Sequence, residues 1–211
     1  MILIADITGY TRFLSVTDVE HANFVIANLF SAMLDESPSD LKVMEVEGDA
    51  LFCWIPREEG GFGIDRFIDL VHHQFARFIG VQRWFTEVRG SECGCRACVN
   101  VGGLKIKFIL HYGQAGSYRI ANFEKIAGLD VIVAHRLMKN SVPEEEYVLM
   151  TDAIEPGPVS QGSQWKWCEG EDNYPIIGRI SYKYLRLNRG LVHDVIVPPF
   201  VDEIDSLTHR L

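Results

Sequence analysis

The chain opens with MILIADITGYTRFL (residues 1–14), and this stretch predicts a buried strand that turns directly into a helix. The strand runs from Ile2 to Ala5 and ends on Asp6, whose carboxylate is the type of ligand that divalent cations prefer. The free backbone N–H groups of the turn that follows, Gly9-Tyr10-Thr11, suit an anion such as a phosphate. A metal–nucleotide complex needs both features. The alternative interpretation is that Asp6 only caps the turn.

Length and composition limit the classes of protein to consider. The 211 residues, 47% hydrophobic and 23% charged, predict one large globular domain or one domain with an appendage. A net charge of −9 argues against binding of nucleic acid or of an anionic membrane. The sequence contains no apolar run long enough for a spanning helix, no basic signal-peptide region at its start and an odd number of cysteines. These features predict a cytoplasmic protein.

Hydrophobic periodicity and turn residues predict the order of the elements. Thr17 and Glu20 have capping-box spacing at the start of a helix that reaches about Asp35. Two strands follow, 41–47 and 50–55, and the Gly48-Asp49 pair between them predicts a tight hairpin. The remaining predicted elements are a helix over 67–79, an irregular segment over 90–103, strands at 104–110 and 115–121, a helix over 129–139, and strands at 147–150 and 176–187.

This order begins βαββαβ, which predicts a ferredoxin-like α+β fold, an antiparallel sheet with helices packed on it and a C-terminal strand extension. In such a sheet the first strand lies beside both strands of the hairpin, so Asp6 and Asp49 should meet. Two neighbouring carboxylates repel each other unless they share a proton or bind a cation. A pair of metal ions roughly 3.5–4 Å apart suits phosphate chemistry. The alternative is that Asp49 is simply a favoured turn residue.

Four motifs carry a resemblance to a known family. Ala5–Thr11 resembles the Asp-Ile-x-Gly-Phe-Thr opening of the class III adenylate and guanylate cyclase catalytic domain. Glu47–Ala50 resembles its Gly-Asp hairpin, His111–Gly113 its His-x-Gly strand end, and Gly128–Leu137 its Gly-x-x-Val-Asn-x-Ala-x-Arg-Leu helix. The motifs occur in the order of the family over roughly residues 2 to 150. The resemblance implies a cyclase-like domain over 1–155 with a cysteine-rich insertion at about 90–103, and strands and a tail over 156–211 that pack on the same domain.

The chain resembles still more closely a group of uncharacterised bacterial proteins, a domain-of-unknown-function family related to the cyclases. The shared marks are Ile4–Thr11, Glu47–Ala50, the Cys93-x-Cys95-x-x-Cys98 pattern and His135–Asn140. This resemblance implies the cyclase fold without an established activity.

The cyclase resemblance implies roles for individual residues. Asp6, the backbone carbonyl of Ile7 and Asp49 match the ligands of two Mg²⁺ or Mn²⁺ ions, and Gly9-Tyr10-Thr11 matches the segment that holds phosphate. Arg136 falls on the arginine that stabilises the pentacovalent phosphorus. The implied reaction is attack of the ribose 3′-oxygen on the α-phosphate of a nucleoside triphosphate, with release of pyrophosphate. The implied assembly is a homodimer in which each site takes residues from both subunits.

Three positions depart from the cyclase pattern. Ile132 stands where an asparagine orients the ribose, and Asn140, one turn beyond Arg136, is a conjectural replacement. Glu45 and Lys125 stand at the base-selecting positions with their charges exchanged, so they either form a structural ion pair or select a different base. Two interpretations follow: a cyclase, or a degenerate homologue that binds a nucleotide or another phosphorylated ligand as a sensor or regulatory dimer.

Cys93, Cys95 and Cys98 are close enough in sequence to bind one soft metal ion. A structural zinc ion normally takes four ligands, and the candidates for the fourth are Cys53, Cys168 or a histidine. The alternatives are a redox-sensitive thiol cluster or ordinary loop residues.

Overall fold

A computed structural model describes residues 1–56, 64–121, 123–154, 166–193 and 195–199. The chain divides into two compact units, each assembled from separate segments of the sequence. The first unit consists of Met1–Asp6, Pro38–Asp69 and Ile106–Leu187, and the second of Ile7–Ser37, Leu70–Lys105 and Asn188–Leu211. Much of the expected C-terminal tail lies outside the described residues, and its packing remains a prediction.

The described residues form nine strands and six α-helices. The strands are β1 (Ile2–Thr8), β2 (Lys42–Glu47), β3 (Ala50–Trp54), β4 (Lys105–His111), β5 (Gly116–Ile120), β6 (Phe123–Ala127), β7 (Tyr147–Thr151), β8 (Cys168–Tyr174) and β9 (Gly178–Arg186). The helices are α1 (Tyr10–Val16), α2 (Val19–Leu34), α3 (Ile64–Arg83), α4 (Gly90–Cys93), α5 (Arg96–Asn100) and α6 (Leu129–Leu137). A π-helical segment, Trp84–Arg89, joins α3 to α4. None of the helices in the described parts of the chain combines the length and the apolar character that crossing a bilayer requires.

Seven strands form the main sheet in the order β2-β3-β1-β4-β7-β9-β8. The pairs β1–β3, β2–β3, β7–β9 and β8–β9 are antiparallel, whereas β4 and β7 are parallel. The connection between β4 and β7 is long enough for the crossover that parallel neighbours require. The predicted α+β class and the ferredoxin-like arrangement of the first four strands are confirmed.

The neighbours of β1 differ from the prediction. β1 pairs with β3, and β2 lies on the outer side of β3, so only one strand of the hairpin contacts β1. On its other side β1 has β4 as its neighbour. This order is the one that lets a ferredoxin-like sheet alternate strand directions, and it brings side chains of β4 to the carboxylate at the end of β1.

Two other strands differ from the predicted pattern. The predicted strand at 115–121 does not return to the main sheet, because β5 pairs with β6 in a separate two-stranded sheet and is exposed along its whole length. β8 was missed because its sequence, CEGEDNY, has no alternating apolar residues. It forms through its antiparallel register with β9, from Cys168 opposite Tyr184 to Tyr174 opposite Gly178.

The core of the first unit lies between the sheet and α6. Val133, Ala134 and Leu137 form the buried face of this helix. They belong to one cluster with residues of the sheet, which include Ile4, Phe52, Ile109, Tyr147 and Leu149. Burial of these side chains fixes the rotation of α6 about its axis, so Ile132 and Arg136 are left on its exposed face.

The second unit is mainly helical. Phe24 of α2 packs edge-to-face on Phe85 with ring centroids 5.6 Å apart. At the end of α2, His73 lies 2.9 Å from the carbonyl oxygen of Asp35. The start of α2 differs from the prediction, because Asp18 and not Thr17 is the N-cap, and its side chain accepts a hydrogen bond from His21 N–H at 2.9 Å.

Candidate metal and phosphate site

Two aspartates lie at the junction of β1 with the hairpin. Asp6 pairs in register with Ala50, and Asp49 is the residue directly before Ala50, in the turn between β2 and β3. The side chain of Asp6 is largely buried, and Asp49 is half-buried. The antiparallel pairing of β1 with β3 thus sets the two carboxylates beside each other at one end of the sheet.

The electrostatic surroundings of Asp49 disfavour its charged form. Burial raises the pKa of its carboxyl above the usual range, a backbone hydrogen bond at Asp49 itself lowers it, and the negative charge of Asp6 raises it further. Lys107 acts in the opposite direction to Asp6 and more weakly. A carboxylate that is destabilised by burial and by a like charge gains free energy when a cation binds beside it.

Lys107 is a member of this site that the sequence analysis did not single out. Its Nζ atom lies 3.0 Å from Oδ2 of Asp6, and it also donates a hydrogen bond to the carbonyl oxygen of Met138 at 2.7 Å. The sequence places Lys107 within the predicted strand at 104–110 and gives no sign of its partner. The signal that would have found it is the adjacency of β4 and β1, which is a property of the whole sheet.

The residues after Asp6 belong to the second unit. Ile7 continues β1 and its side chain is buried. Gly9 is the N-cap of α1 and has φ 91°, a left-handed conformation that glycine adopts without strain. Thr11 is exposed in the first turn of α1. The roles of Ile7 and of Gly9-Tyr10-Thr11 stay predictions.

Arg136 lies on the exposed face of α6. Ile132, one turn earlier on the same face, is 50% exposed, and Leu129 is 64% exposed. The arginine and the two apolar residues form a row that faces away from the core of their own unit.

Glu45 and Lys125 form an ion pair. Lys125 Nζ lies 2.5 Å from Glu45 Oε1, and both side chains are just over one third exposed. The pair joins β2 to β6, so the two residues whose charges are exchanged relative to the cyclase pattern meet each other. Because it is exposed to this extent, the pair adds little stability.

Asn140 has a local structural role. Its Nδ2 atom lies 2.7 Å from the carbonyl oxygen of Leu137 and 2.7 Å from the hydroxyl of Tyr147, and its Oδ1 accepts a hydrogen bond from Val142 N–H at 2.9 Å. The side chain therefore organises the end of α6. This geometry argues against Asn140 as a replacement for the ribose-orienting asparagine.

His111 belongs to a buried network. It is 5% exposed, its Nδ1 lies 2.8 Å from Thr151 Oγ1, and its Nε2 lies 3.2 Å from Asp130 Oδ1. Burial lowers the pKa of His111, although Asp130 acts to raise it. Gly113 lies against the same aspartate, and a Cβ atom there would come within 2.1 Å of Asp130 Cγ. The His-x-Gly motif thus anchors the start of α6 to the sheet.

The three clustered cysteines come together in the second unit. The sulfur atoms of Cys93, Cys95 and Cys98 all lie within 4.8 Å of one another. Burial acts to raise the pKa of the Cys95 thiol, but hydrogen bonds with Cys98 and Cys93 outweigh it, so the pKa is lowered. Burial, together with Cys95 and Cys93, raises the pKa of Cys98 to about 12. Cys53, a proposed fourth ligand, is buried in β3, and burial raises its pKa to about 12.

Comparison with known sequences identifies relatives of this chain. A family described as "Protein of unknown function (DUF2652)" matches residues 26–147. The uncharacterized protein Rv2561/Rv2562 of Mycobacterium tuberculosis (strain ATCC 25618 / H37Rv) is 32% identical over 129 residues, which are 61% of this chain. The match spans 58% of the length of that relative.

Comparison with solved structures identifies the fold. The adenylyl cyclase CyaB from P. aeruginosa superposes with a TM-score of 0.57 at 15% identity, over 89% of this chain and 92% of that chain. The guanylate cyclase domain of RhGC from Catenaria anguillulae, solved in complex with GTP, gives a TM-score of 0.54 at 13% identity, over 89% of this chain and 96% of that chain. The chain therefore has the fold of the nucleotidyl cyclase catalytic domains, as its motifs predict.

Proposed function

Since this chain belongs to the DUF2652 family of proteins of unknown function, we propose that it binds a divalent cation and a nucleoside triphosphate or another phosphorylated ligand. The observation that carries the proposal is the position of Asp6 and Asp49 at one end of the sheet of a cyclase fold. The five cysteines are free, which suits the reducing cytoplasm that the composition predicts.

The residues present fit a hard divalent cation. Two aspartates and a backbone carbonyl, that of Ile7, are oxygen ligands of the kind that Mg²⁺ and Mn²⁺ take. Bound there, the ions would neutralise phosphate oxygens and polarise the phosphorus. Lys107 already supplies one positive charge to Asp6, so a cation that uses this carboxylate competes with the lysine. Binding of two ions requires Lys107 to leave Asp6.

The phosphate groups would be held by the chain's own groups. The backbone N–H groups of Gly9-Tyr10-Thr11 follow directly on the metal-binding strand, and such a turn suits an anion. Lys107, once released by a cation at Asp6, has a free ammonium group to offer to a phosphate oxygen. Arg136 supplies a further positive charge from the exposed face of α6.

In a homodimer, Arg136 of one copy can reach the ligand that the other copy binds. Several apolar side chains of the first unit are exposed, namely Val43, Val46, Tyr118, Ile120, Leu129 and Ile132. Leu129 and Ile132 lie on the same face of α6 as Arg136, so a partner that covers this face would also bury them. A second copy of the chain, with Arg136 reaching into the partner's site, is the partner that the cyclase fold favours.

Binding without cyclisation is the function that the geometry supports best. Orientation of the ribose needs a polar group at the place of Ile132, which is apolar, and Asn140 is occupied by Leu137 and Tyr147. Ion pairing between Glu45 and Lys125 also occupies the groups that would select a base. The protein would then act as a sensor or regulatory dimer.

Cyclisation is the second candidate, favoured by the free orientation of Arg136 on the exposed face of α6. The ribose 3′-oxygen would form a bond to the α-phosphorus while the bond to pyrophosphate breaks. The products are a 3′,5′-cyclic nucleotide, pyrophosphate and the proton released by the 3′-hydroxyl. Charge stabilisation by cations and an arginine suits this step.

One set of experiments separates the two functions. Titration calorimetry with Mn²⁺ and non-hydrolysable triphosphates measures binding, and chromatography after incubation with each nucleoside triphosphate measures cyclic product. Asp6→Asn should abolish metal-dependent binding, whereas Asp69→Asn, on an exposed position of α3, should leave it unchanged. Cyclic product that disappears in Asp6→Asn establishes the cyclase. Wild-type binding that Asp6→Asn does not weaken would refute the proposed site.

A further inference from the structure

The cysteine segment folds so that three thiols converge. Cys93 ends α4, Cys95 is the N-cap of α5, and Cys98 lies within α5. The Cys95 sulfur accepts a hydrogen bond from the Cys98 N–H at 3.4 Å, which fixes the start of α5. The Cys-x-Cys-x-x-Cys spacing is thus folded into one compact group, and its cysteines are not scattered loop residues.

The distances suit a single thiophilic ion. In a tetrahedral thiolate site the metal–sulfur bonds are about 2.3 Å, so neighbouring sulfurs lie about 3.8 Å apart. The sulfurs of Cys93, Cys95 and Cys98 lie within 4.8 Å of one another.

Among the residues that the structure describes, the group lacks the fourth ligand of a closed zinc site. Among the described histidines, cysteines and carboxylates, no group of three or more ligand atoms other than this one has metal-binding distances. Cys98 is buried and Cys93 is exposed, so the group extends from the protein interior to the solvent. Structural zinc sites take four protein ligands, whereas sites with three keep an exchangeable fourth position.

We propose that Cys93, Cys95 and Cys98 bind one thiophilic divalent cation of the zinc class, with the fourth coordination position on the solvent side and open to an exogenous ligand. Water fills this position at rest, and a small thiol or imidazole can replace it. The site is independent of the carboxylate site, because it uses soft sulfur ligands where Asp6 and Asp49 offer hard oxygen ligands.

The position of the site predicts a structural effect of the ion. α5 packs against α1 and α2 within the second unit. An ion that joins Cys93 to Cys95 and Cys98 would tie α4 to α5, because metal binding is coupled to the order of the ligands' segment. Hydrogen exchange in residues 90–103 should therefore slow when the ion binds.

Metal titration of untagged, reduced full-length protein tests the proposal. Zn²⁺ is titrated in competition with a chromophoric chelator, and Co²⁺ serves as a spectroscopic substitute. We expect one ion per chain, with thiolate charge-transfer and tetrahedral bands for Co²⁺. Cys95→Ser removes a direct ligand of the ion. It should weaken binding by about 100-fold or more, because the loss of a mere hydrogen-bond partner of a ligand already weakens binding by up to about 100-fold. Val99→Ser, at a residue of α5 that is 68% exposed and offers no metal ligand, is the matched control and should leave affinity unchanged.

Two further measurements decide between the alternatives. Addition of imidazole or a small thiol to the Co²⁺ protein should shift the visible bands; an unchanged spectrum would show that the protein supplies the fourth ligand and would overturn the open position. Cys93→Ser changes an exposed side chain, so it should leave the fold intact, and it should also weaken binding. A loss of affinity in this variant therefore cannot be explained by misfolding. Equal affinity of the wild type and both cluster variants, or a Co²⁺ spectrum without thiolate bands, would overturn the site. Mn²⁺ binding at Asp6 is measured separately, so the two proposals fail independently.

Discussion

Lys107 and Asp6 form an ion pair across two neighbouring strands, with Nζ and Oδ2 3.0 Å apart and the side chains 17% and 15% exposed. The lysine is an internal cation at the place where the cyclase resemblance puts a metal ion. Any divalent cation that uses Asp6 must compete with this ammonium group. The pair therefore sets both the stability of the metal-free protein and its affinity for the ion.

Lys107→Met should affect metal affinity and stability in opposite directions. Removal of the competing charge should strengthen Mn²⁺ binding about tenfold, which corresponds to about 1.4 kcal/mol. Without metal, the loss of the partner of a largely buried carboxylate should lower the free energy of unfolding by about 1–3 kcal/mol. Calorimetric Mn²⁺ titration and urea unfolding in a chelator measure the two effects.

The control for this variant is Lys105→Met, two residues earlier on the same strand. It removes the same charge from the chain without removing the partner of Asp6, so both quantities should stay close to those of the wild type. If Lys107→Met binds Mn²⁺ no better than Lys105→Met, Asp6 is not a ligand of the ion.

Asp49→Asn should separate stability from binding. The pKa of Asp49 is raised, first by burial, so the negative charge of this carboxylate costs more free energy in the folded protein than in the unfolded chain. The neutral amide should raise the free energy of unfolding by a few tenths of a kcal/mol, because solvent screens much of the effect at a half-exposed turn. Mn²⁺ binding should be lost. Urea unfolding in a chelator and calorimetry check both, and a variant that is destabilised while it still binds Mn²⁺ would contradict the assigned role.

Acidification should destabilise the protein through His111. Burial lowers the folded-state pKa of this histidine below the ordinary value of about 6.5, so protons bind more tightly to the unfolded chain. The stability that neutral His111 contributes is complete above about pH 6.5 and is lost as the pH falls toward the folded-state pKa. Urea unfolding from pH 7.5 to 5.5 should show this decline.

Two histidine variants isolate that effect. His111→Gln should flatten the decline with pH, since glutamine does not titrate. His193→Gln, at an exposed position, should keep the wild-type slope. Identical slopes for all three proteins would exclude His111 as the origin.

Gly113→Ala should destabilise the connection between the sheet and α6. An added Cβ atom would lie 2.1 Å from Cγ and 2.4 Å from Cβ of Asp130. The aspartate cannot move without loss of its hydrogen bond from Gln114 N–H at 2.6 Å and of its contact with His111. We expect a loss of about 1–3 kcal/mol in urea unfolding. Gly103→Ala, where a Cβ atom meets nothing within 4 Å, should cost much less.

The sequence predicts those parts of the fold and site that depend on local signals. The Asp6 strand end and the Gly48-Asp49 turn are each recognisable within a few residues, because a buried run and a tight turn have local signatures. Lys107 was missed because its partner is set by the pairing of β1 with β4, strands about a hundred residues apart. The acidic strand β8 was missed for a similar reason, since its stability comes from β9.

Ile132→Asp should shift the protein toward the monomer. In the proposed homodimer, the exposed row of Leu129, Ile132 and Arg136 lies in the interface, and a buried unpaired carboxylate there costs more than the apolar contact it replaces. Because the side chain is already 50% exposed in the single chain, the fold itself should tolerate the change. Sedimentation velocity at several concentrations measures the shift. Ile176→Asp introduces the same charge at a fully exposed isoleucine and should leave the distribution unchanged. A wild type that stays monomeric with Mn²⁺ and a triphosphate analogue would contradict the shared site.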